Sequence, residues 1–156
     1  MIQYGAPIWA TTTKSNIDRI QSYQIKAART ILSQKWIRNR NKQHRQDVLN
    51  QLKWPNVNQL VNTAILNLTK SAINQLSSAG INKMFTTSNP RNPRTGHAMR
   101  IAHKGRISTT QKTFGTIATT LFNQLPASIR NPTWSSTKFK KLLKIYMTGQ
   151  FLLTKH

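Results

Sequence analysis

Side chains that carry out chemistry are scarce in this sequence, and the scarcity is informative. Two residues of 156 are acidic, Asp18 and Asp47, and there is no glutamate. Polymerases and many nucleases hold two metal ions between several carboxylates. Asp18 and Asp47 fall on separate helical stretches with no third carboxylate, so no two-metal site is expected. Asp18 reads as a residue in the first turn of a helix. Asp47, near Lys42, His44 and Arg45, reads as a surface ion-pair partner. The histidines are His44, His97, His103 and His156. A catalytic nucleophile needs a base and a group that orients the base. Neither a Gly-x-Ser-x-Gly turn nor a phosphate-cradling glycine loop occurs. His97 and His103 lie in a basic stretch and read as solvated, phosphate-contacting side chains. Cysteine is absent, which removes disulfides, zinc knuckles and zinc fingers. No catalytic residue, no metal ligand and no cofactor is expected, and the chain reads as a non-enzyme.

What is abundant is positive charge. Lysine and arginine number 24, which gives a net charge of +22 and a pI near 11.9. Such a chain repels itself at low salt, and a polyanion relieves the repulsion while releasing counterions. Two groups of these charges are read as contacts. One is a segment without periodicity, roughly 81–112, which contains Asn89-Pro90-Arg91-Asn92-Pro93-Arg94-Thr95-Gly96 and carries Arg91, Arg94, Arg100, Lys104, Arg106 and Lys112. The other is the run Lys138, Lys140, Lys141 and Lys144. These are the candidate nucleic-acid-binding residues. The first group sits in a segment too poor in apolar residues to order itself, so it is expected to be a flexible loop that orders on phosphate. Tyr4, Trp9, Trp36 and Trp54 are able to stack on bases, but their places at helix boundaries suit filling corners between helices. No helix joins a basic face to Trp or Phe anchors in the manner of a membrane-surface helix. No apolar run approaches the length of a membrane span.

The elements that must position these charges are helical. Ile17, Ile20, Gln24, Ala27, Ala28, Ile31 and Leu32 fall mostly at helical spacing, with Ser15 or Asn16 as the cap and Arg19, Lys26 and Arg29 off the stripe. Trp36 and Ile37 extend the apolar face. A short helix over Gln43 to Leu52 presents Val48, Leu49 and Leu52. Trp54-Pro55 marks a boundary, because proline disfavours helix at the residue before it. The clearest stripe follows: Val57, Leu60, Val61, Ala64, Ile65, Leu68, Ala72, Ile73 and Leu76, ending near Gly80. Leu60, Ile65 and Leu68 are expected to be buried there. Phe114, Ile117, Ala118, Leu121, Phe122 and Leu125 form another stripe, stopped by Pro126. Phe139, Leu142, Leu143, Tyr146 and Met147 form the last, capped by Ser135 or Ser136 and ended by Gly149. The apolar, aromatic opening Ile2 to Ala10 reads as the interior of a longer protein.

The order of several short motifs resembles the region after the catalytic core of non-LTR (LINE-type) retrotransposon reverse transcriptases. Tyr4-Gly5-Ala6-Pro7-Ile8-Trp9-Ala10 precedes a helix containing Ile20-Gln21-Ser22-Tyr23-Gln24-Ile25-Lys26-Ala27-Ala28-Arg29. Leu52-Lys53-Trp54-Pro55-Asn56-Val57 is similar to the family's turn before a long helix. Gly105-Arg106-Ile107, then Leu121-Phe122-Asn123-Gln124-Leu125-Pro126-Ala127-Ser128-Ile129-Arg130, then Ser136-Thr137-Lys138-Phe139-Lys140-Lys141-Leu142-Leu143-Lys144 are similar to its closing pattern. The resemblance covers nearly the whole chain. It implies a thumb and post-thumb segment, with the fingers, the palm and the paired metal-binding aspartates absent. The chain also lacks the acids that the family often places around the tryptophan–proline turn.

The resulting expectation is a mainly α fold, a small helical bundle with a long basic irregular loop. Residues 1–80 form a thumb-like helical segment, 81–112 a basic flexible loop and 113–156 a C-terminal helical pair. The expected partner is RNA or an RNA–DNA duplex, together with an upstream polymerase domain or a ribonucleoprotein, and no membrane. The expected setting is intracellular, in the nucleus or cytoplasm. The alternative is a domesticated RNA-packing protein, such as an organellar ribosomal protein of the mitochondrion.

Overall fold

The computed structural model describes residues 5, 13–33, 42–88, 100–103, 113–131 and 133–153. Among these, six helices and one two-stranded sheet occur: α1 (Lys14–Ile31), α2 (Lys42–Gln51), α3 (Val57–Ile73), α4 (Ala79–Asn82), β1 (Phe85–Ser88), β2 (Arg100–His103), α5 (Phe114–Gln124) and α6 (Ser136–Leu153). The fold is mainly α, as the periodicity implies. Trp36 and Ile37 lie outside the described residues, as do Tyr4 and Trp9.

The third helix, α3, is the centre. It packs against α1, α4, α5, α6 and β1, and Asn58 is its sole exposed residue. Val57, Val61, Ile65, Leu66 and Ala72 are buried, together with Phe85, Ile101, Ala118, Phe122, Leu125, Ile129, Phe139 and Leu143 from the surrounding elements. Of the three residues expected to be buried, Ile65 is, whereas Leu60 and Leu68 are half-buried. Elements surround α3 on several sides, so burial spreads around the helix and takes in Leu66, Thr69 and Lys70. A single-stripe reading presumes one covered face.

A second, smaller cluster joins Ile25 and Ala28 of α1 to Val48 and Leu49 of α2, with Leu32, Leu52 and Trp54 packed against it. Helix α1 therefore serves two cores. Ile17 and Ile20 touch the main one and the later turns face α2. This rotation explains why Ile25 and Arg29 are buried while Ala27 and Ile31 are exposed, against the expectation of one straight stripe. Trp54 fills the corner between helices, as its place beside Pro55 suggests.

The joint between α2 and α3 is held by amides. Gln59 N–H donates to Asn56 Oδ1 at 2.9 Å, and Asn56 N–H donates to Gln59 Oε1 at 2.9 Å, a reciprocal capping box. From α1, Gln21 Oε1 accepts the N–H of Val57 at 2.8 Å and Gln24 Nε2 donates to Pro55 O at 2.8 Å. The first N–H of a helix has no partner inside it, and a side chain from 36 residues earlier supplies one.

Several helix boundaries differ from expectation. The cap of α1 is Thr13, not Ser15 or Asn16, and the first turn holds no acid; Asp18 falls in the second turn. Ser15 and Asn16 are cap-forming residue types placed inside the first turn, where they remain exposed. Helix α3 ends at Ile73 rather than near Gly80. Gln75 takes the left-handed conformation at φ 59°, its N–H donates to Ala72 O at 3.1 Å, and Leu76 N–H donates to Ser71 O at 2.8 Å. This is a Schellman ending made without glycine. Gly80 lies within α4. Gly149 does not end α6, which continues to Leu153.

The segment 81–112 is not uniformly irregular. Phe85–Ser88 and Arg100–His103 pair antiparallel, with Thr86 opposite Ala102 and Thr87 opposite Ile101. Phe85 and Ile101 enter the main core, and the Phe85 ring meets Phe114 edge-on at 6.1 Å. Four-residue strands are too short to show alternation clearly in sequence, and two apolar side chains suffice to anchor the ribbon. Residues 89–99 and 104–112 lie outside the described residues.

Candidate nucleic-acid interface

Helix α6 carries the densest group of charges described. Ser135 caps it, with the N–H of Lys138 donating to Ser135 Oγ at 3.3 Å. Phe139 and Leu143 are buried, and Phe139 lies nearly parallel to Phe122 of α5 at 6.3 Å. That packing fixes the rotation of the helix. At about 100° per residue, Lys140, Lys144, Lys141 and Lys138 follow one another around the opposite side, and all four are exposed. Ile145, 68% exposed, stands within the same arc. The ammonium of Lys138 sits 4.5 Å from the centroid of the Trp134 ring, a cation–π contact that holds the side chain.

This arrangement opposes helix stability. Like charges at spacings of three and four, as in Lys138–Lys141, Lys140–Lys144 and Lys141–Lys144, each cost a few tenths of a kcal/mol. Lys138 also stands three residues after the cap, where the helix dipole favours an anion. A polyanion running along this face reverses both effects.

Arg100 is on β2, opposite Ser88 in the ribbon, and is exposed. The strand is clamped on its outer edge by α5. Asn123 Oδ1 accepts the N–H of Ile101 at 3.1 Å and Asn123 Nδ2 donates to Ile101 O at 2.9 Å. One side chain thus takes the place of a third strand. Beyond α5, the Pro126–Arg130 turn closes with Ile129 N–H donating to Pro126 O at 2.9 Å. It brings up Arg130, whose charge is disfavoured by burial and, second, by the positive charge of Arg100. One residue later, Asn131 O accepts from Lys70 Nζ at 3.4 Å. Lys70 is 1% exposed, and burial holds its pKa below the ordinary lysine value.

Among the expected contacts, Arg100, Lys138, Lys140, Lys141 and Lys144 are thus on the surface. Arg91, Arg94, Lys104, Arg106 and Lys112 lie outside the described residues. Arg130 was absent from the expected set. Its position as the last residue of the Leu-Pro-x-x-Ile-Arg element was the available signal, although only the folded chain brings it within reach of the charge of Arg100. Among the described residues, two basic ones are withdrawn from the surface, Arg29 and Lys70. Among the described residues no group of three or more His, Asp or Glu is placed to hold a metal ion, and no helix is long and apolar enough to cross a membrane.

No protein-family model, no curated protein and no solved structure matches this chain.

Proposed function

We propose that this chain binds the phosphate backbone of RNA or of an RNA–DNA duplex, as the thumb and post-thumb region of a non-LTR retrotransposon reverse transcriptase, with no polymerase site of its own. The observation that carries the binding is the lysine face of α6, exposed and held in rotation by Phe139 and Leu143. Backbone contacts of this kind position a duplex without reading its sequence. The reading also draws support from how the resembling motifs meet. Gln21 and Gln24 of the first fasten the Trp54-Pro55-Asn56-Val57 turn of the second. Phe122 of the Leu121–Arg130 motif stacks on Phe139 of the Ser136–Lys144 motif.

Affinity is expected to fall steeply with salt. If about 6–8 phosphates are contacted, log K falls with log salt at a slope near −5 to −7. Replacing Lys138, Lys140, Lys141 and Lys144 together by Gln is expected to lower affinity at least about tenfold, or roughly 1.4 kcal/mol, with helix content by circular dichroism unchanged. A slope near zero would overturn the reading. The same charge of +22 suits an RNA-packing protein of a mitochondrial ribosome. Co-sedimentation with ribosomes favours that role, and a polymerase core encoded next to this chain favours the reverse transcriptase. Both place the protein inside the cell, in the nucleus or cytoplasm or in the organelle.

A further inference from the structure

We propose that Trp134 is a stacking platform for an unpaired nucleobase, set at the start of the lysine face of α6. The ligand then combines phosphates, held by the lysines, with a base free of its pairing partner, as in a duplex that carries a single-stranded end. This rests on the reading that the chain binds nucleic acid.

The ordinary role of a tryptophan at a helix boundary is to fill a corner of the core, and Trp54 does so. Trp134 is in neither core cluster and is half-buried. The ammonium of Lys138 lies over its ring, 4.5 Å from the centroid. Lys138 is exposed, so the ring face beneath it opens to solvent.

The backbone on both sides of the ring is pinned. Asn131 O accepts from Lys70 Nζ at 3.4 Å and from the N–H of Trp134 at 3.5 Å. Asn131 Oδ1 accepts the N–H and the hydroxyl of Thr133 at 2.9 and 2.7 Å. On the far side, Asn74 Nδ2, at the end of α3, donates to Ser136 Oγ at 3.3 Å. Buried Lys70 thus helps to hold the segment that presents the ring. An aromatic side chain on backbone fixed in this way binds without the cost of ordering a loop.

Every base has a π-face, so stacking on an aromatic ring serves any sequence, as the lysine contacts do. Bases within a closed duplex are already stacked on one another, so the ring takes one that is unpaired. Lys141 follows Lys138 at a spacing of three, as neighbours on a helix surface do, so the ring continues the row of charges. A base that takes the ring face displaces the Lys138 ammonium, which is then free for the adjoining phosphate. The exchange is favourable because an exposed cation–π contact is weak and stacking of a base on an aromatic side chain is stronger.

The test uses the full chain and RNA–DNA duplexes of equal paired length. One carries a short single-stranded end, and the other carries the same end made of abasic nucleotides, which keep the phosphates and lack the bases. The wild type is expected to bind the end with bases about tenfold more tightly than the abasic one. W134A is expected to bind both as the wild type binds the abasic one, with an unchanged salt slope, because no charge is removed. W134F is expected to keep part of the preference. The variant with all four lysines replaced should weaken on both duplexes, with a shallower slope. If W134A does not fold, the wild-type comparison of the two ends decides the matter. Equal affinity of the wild type for the two ends, or a base preference in W134A equal to that of the wild type, would overturn the platform and leave the proposed function standing. A wild type that binds no duplex at low salt would overturn the proposed function, and the platform with it.

Discussion

Lys70 and Lys138 show at the scale of single residues how this chain handles its charge. Lys70 is buried, with its ammonium 3.4 Å from Asn131 O and 6.0 Å from the centroid of Phe139. Burial lowers its pKa from the ordinary value of 10.5. The unfolded chain therefore holds this proton over a pH range in which the folded chain has released it. Stability then rises with pH between the lowered folded value and 10.5, and the cost of burying the charge is borne in full below that window. Lys70→Met is expected to stabilise the protein by about 1 kcal/mol at neutral pH. The advantage should shrink as pH approaches 10.5, measured from urea midpoints at two pH values. Lys138 has the opposite conflict, at the surface. Ser135 already accepts the N–H of residue 138, and a glutamate there would complete a capping box. Lys138→Glu is expected to raise stability by about 0.5–1 kcal/mol while weakening duplex binding. Weaker binding together with lower stability would show that Lys138 is held for its contact with Trp134 instead.

Helix ends and short strands were the least legible elements. The periodicity located α2, α3 and α5 closely, because each carries enough apolar positions to reveal the helical repeat. Their endings follow local backbone choices that residue type alone does not dictate. Ser33, Lys53 and Gln75 all take positive φ, where glycine or asparagine is the usual occupant, so the sequence offered no glycine signal at any of them. Gly80 and Gly149 offered the signal and sit inside helices. The β1–β2 ribbon was hidden by its brevity and by dependence on a distant partner. Without Asn123, the N–H and C=O of Ile101 lose their acceptor and donor. Asn123→Ala is expected to cost about 1–3 kcal/mol and to speed hydrogen exchange at the Ile101 amide selectively. Protection at Ile101 equal to that of the wild type would mean that the ribbon holds without its clamp.

For the whole molecule, the difference between a stripe and a hub has a measurable consequence. Ile65 is buried in the main core and Leu68 is half-buried. Ile65→Ala is therefore expected to cost about 2–5 kcal/mol and Leu68→Ala clearly less, compared by denaturant unfolding. Equal losses would return Leu68 to the core. The sequence by itself determined the helical class, the central role of the 57–73 stretch, the side of α6 on which its lysines stand and the net charge of +22. These depend on local periodicity and on composition, which need no knowledge of what lies across the core. Only the tertiary structure decided that α1 divides between two cores, that Gln21 and Gln24 secure a turn more than thirty residues away, and that the positive charge of Arg100 reaches Arg130. Each of these is a pairing between distant segments. Which partners meet is set by how five elements share the surface of α3, and a one-dimensional pattern records the faces available without recording which of them touch.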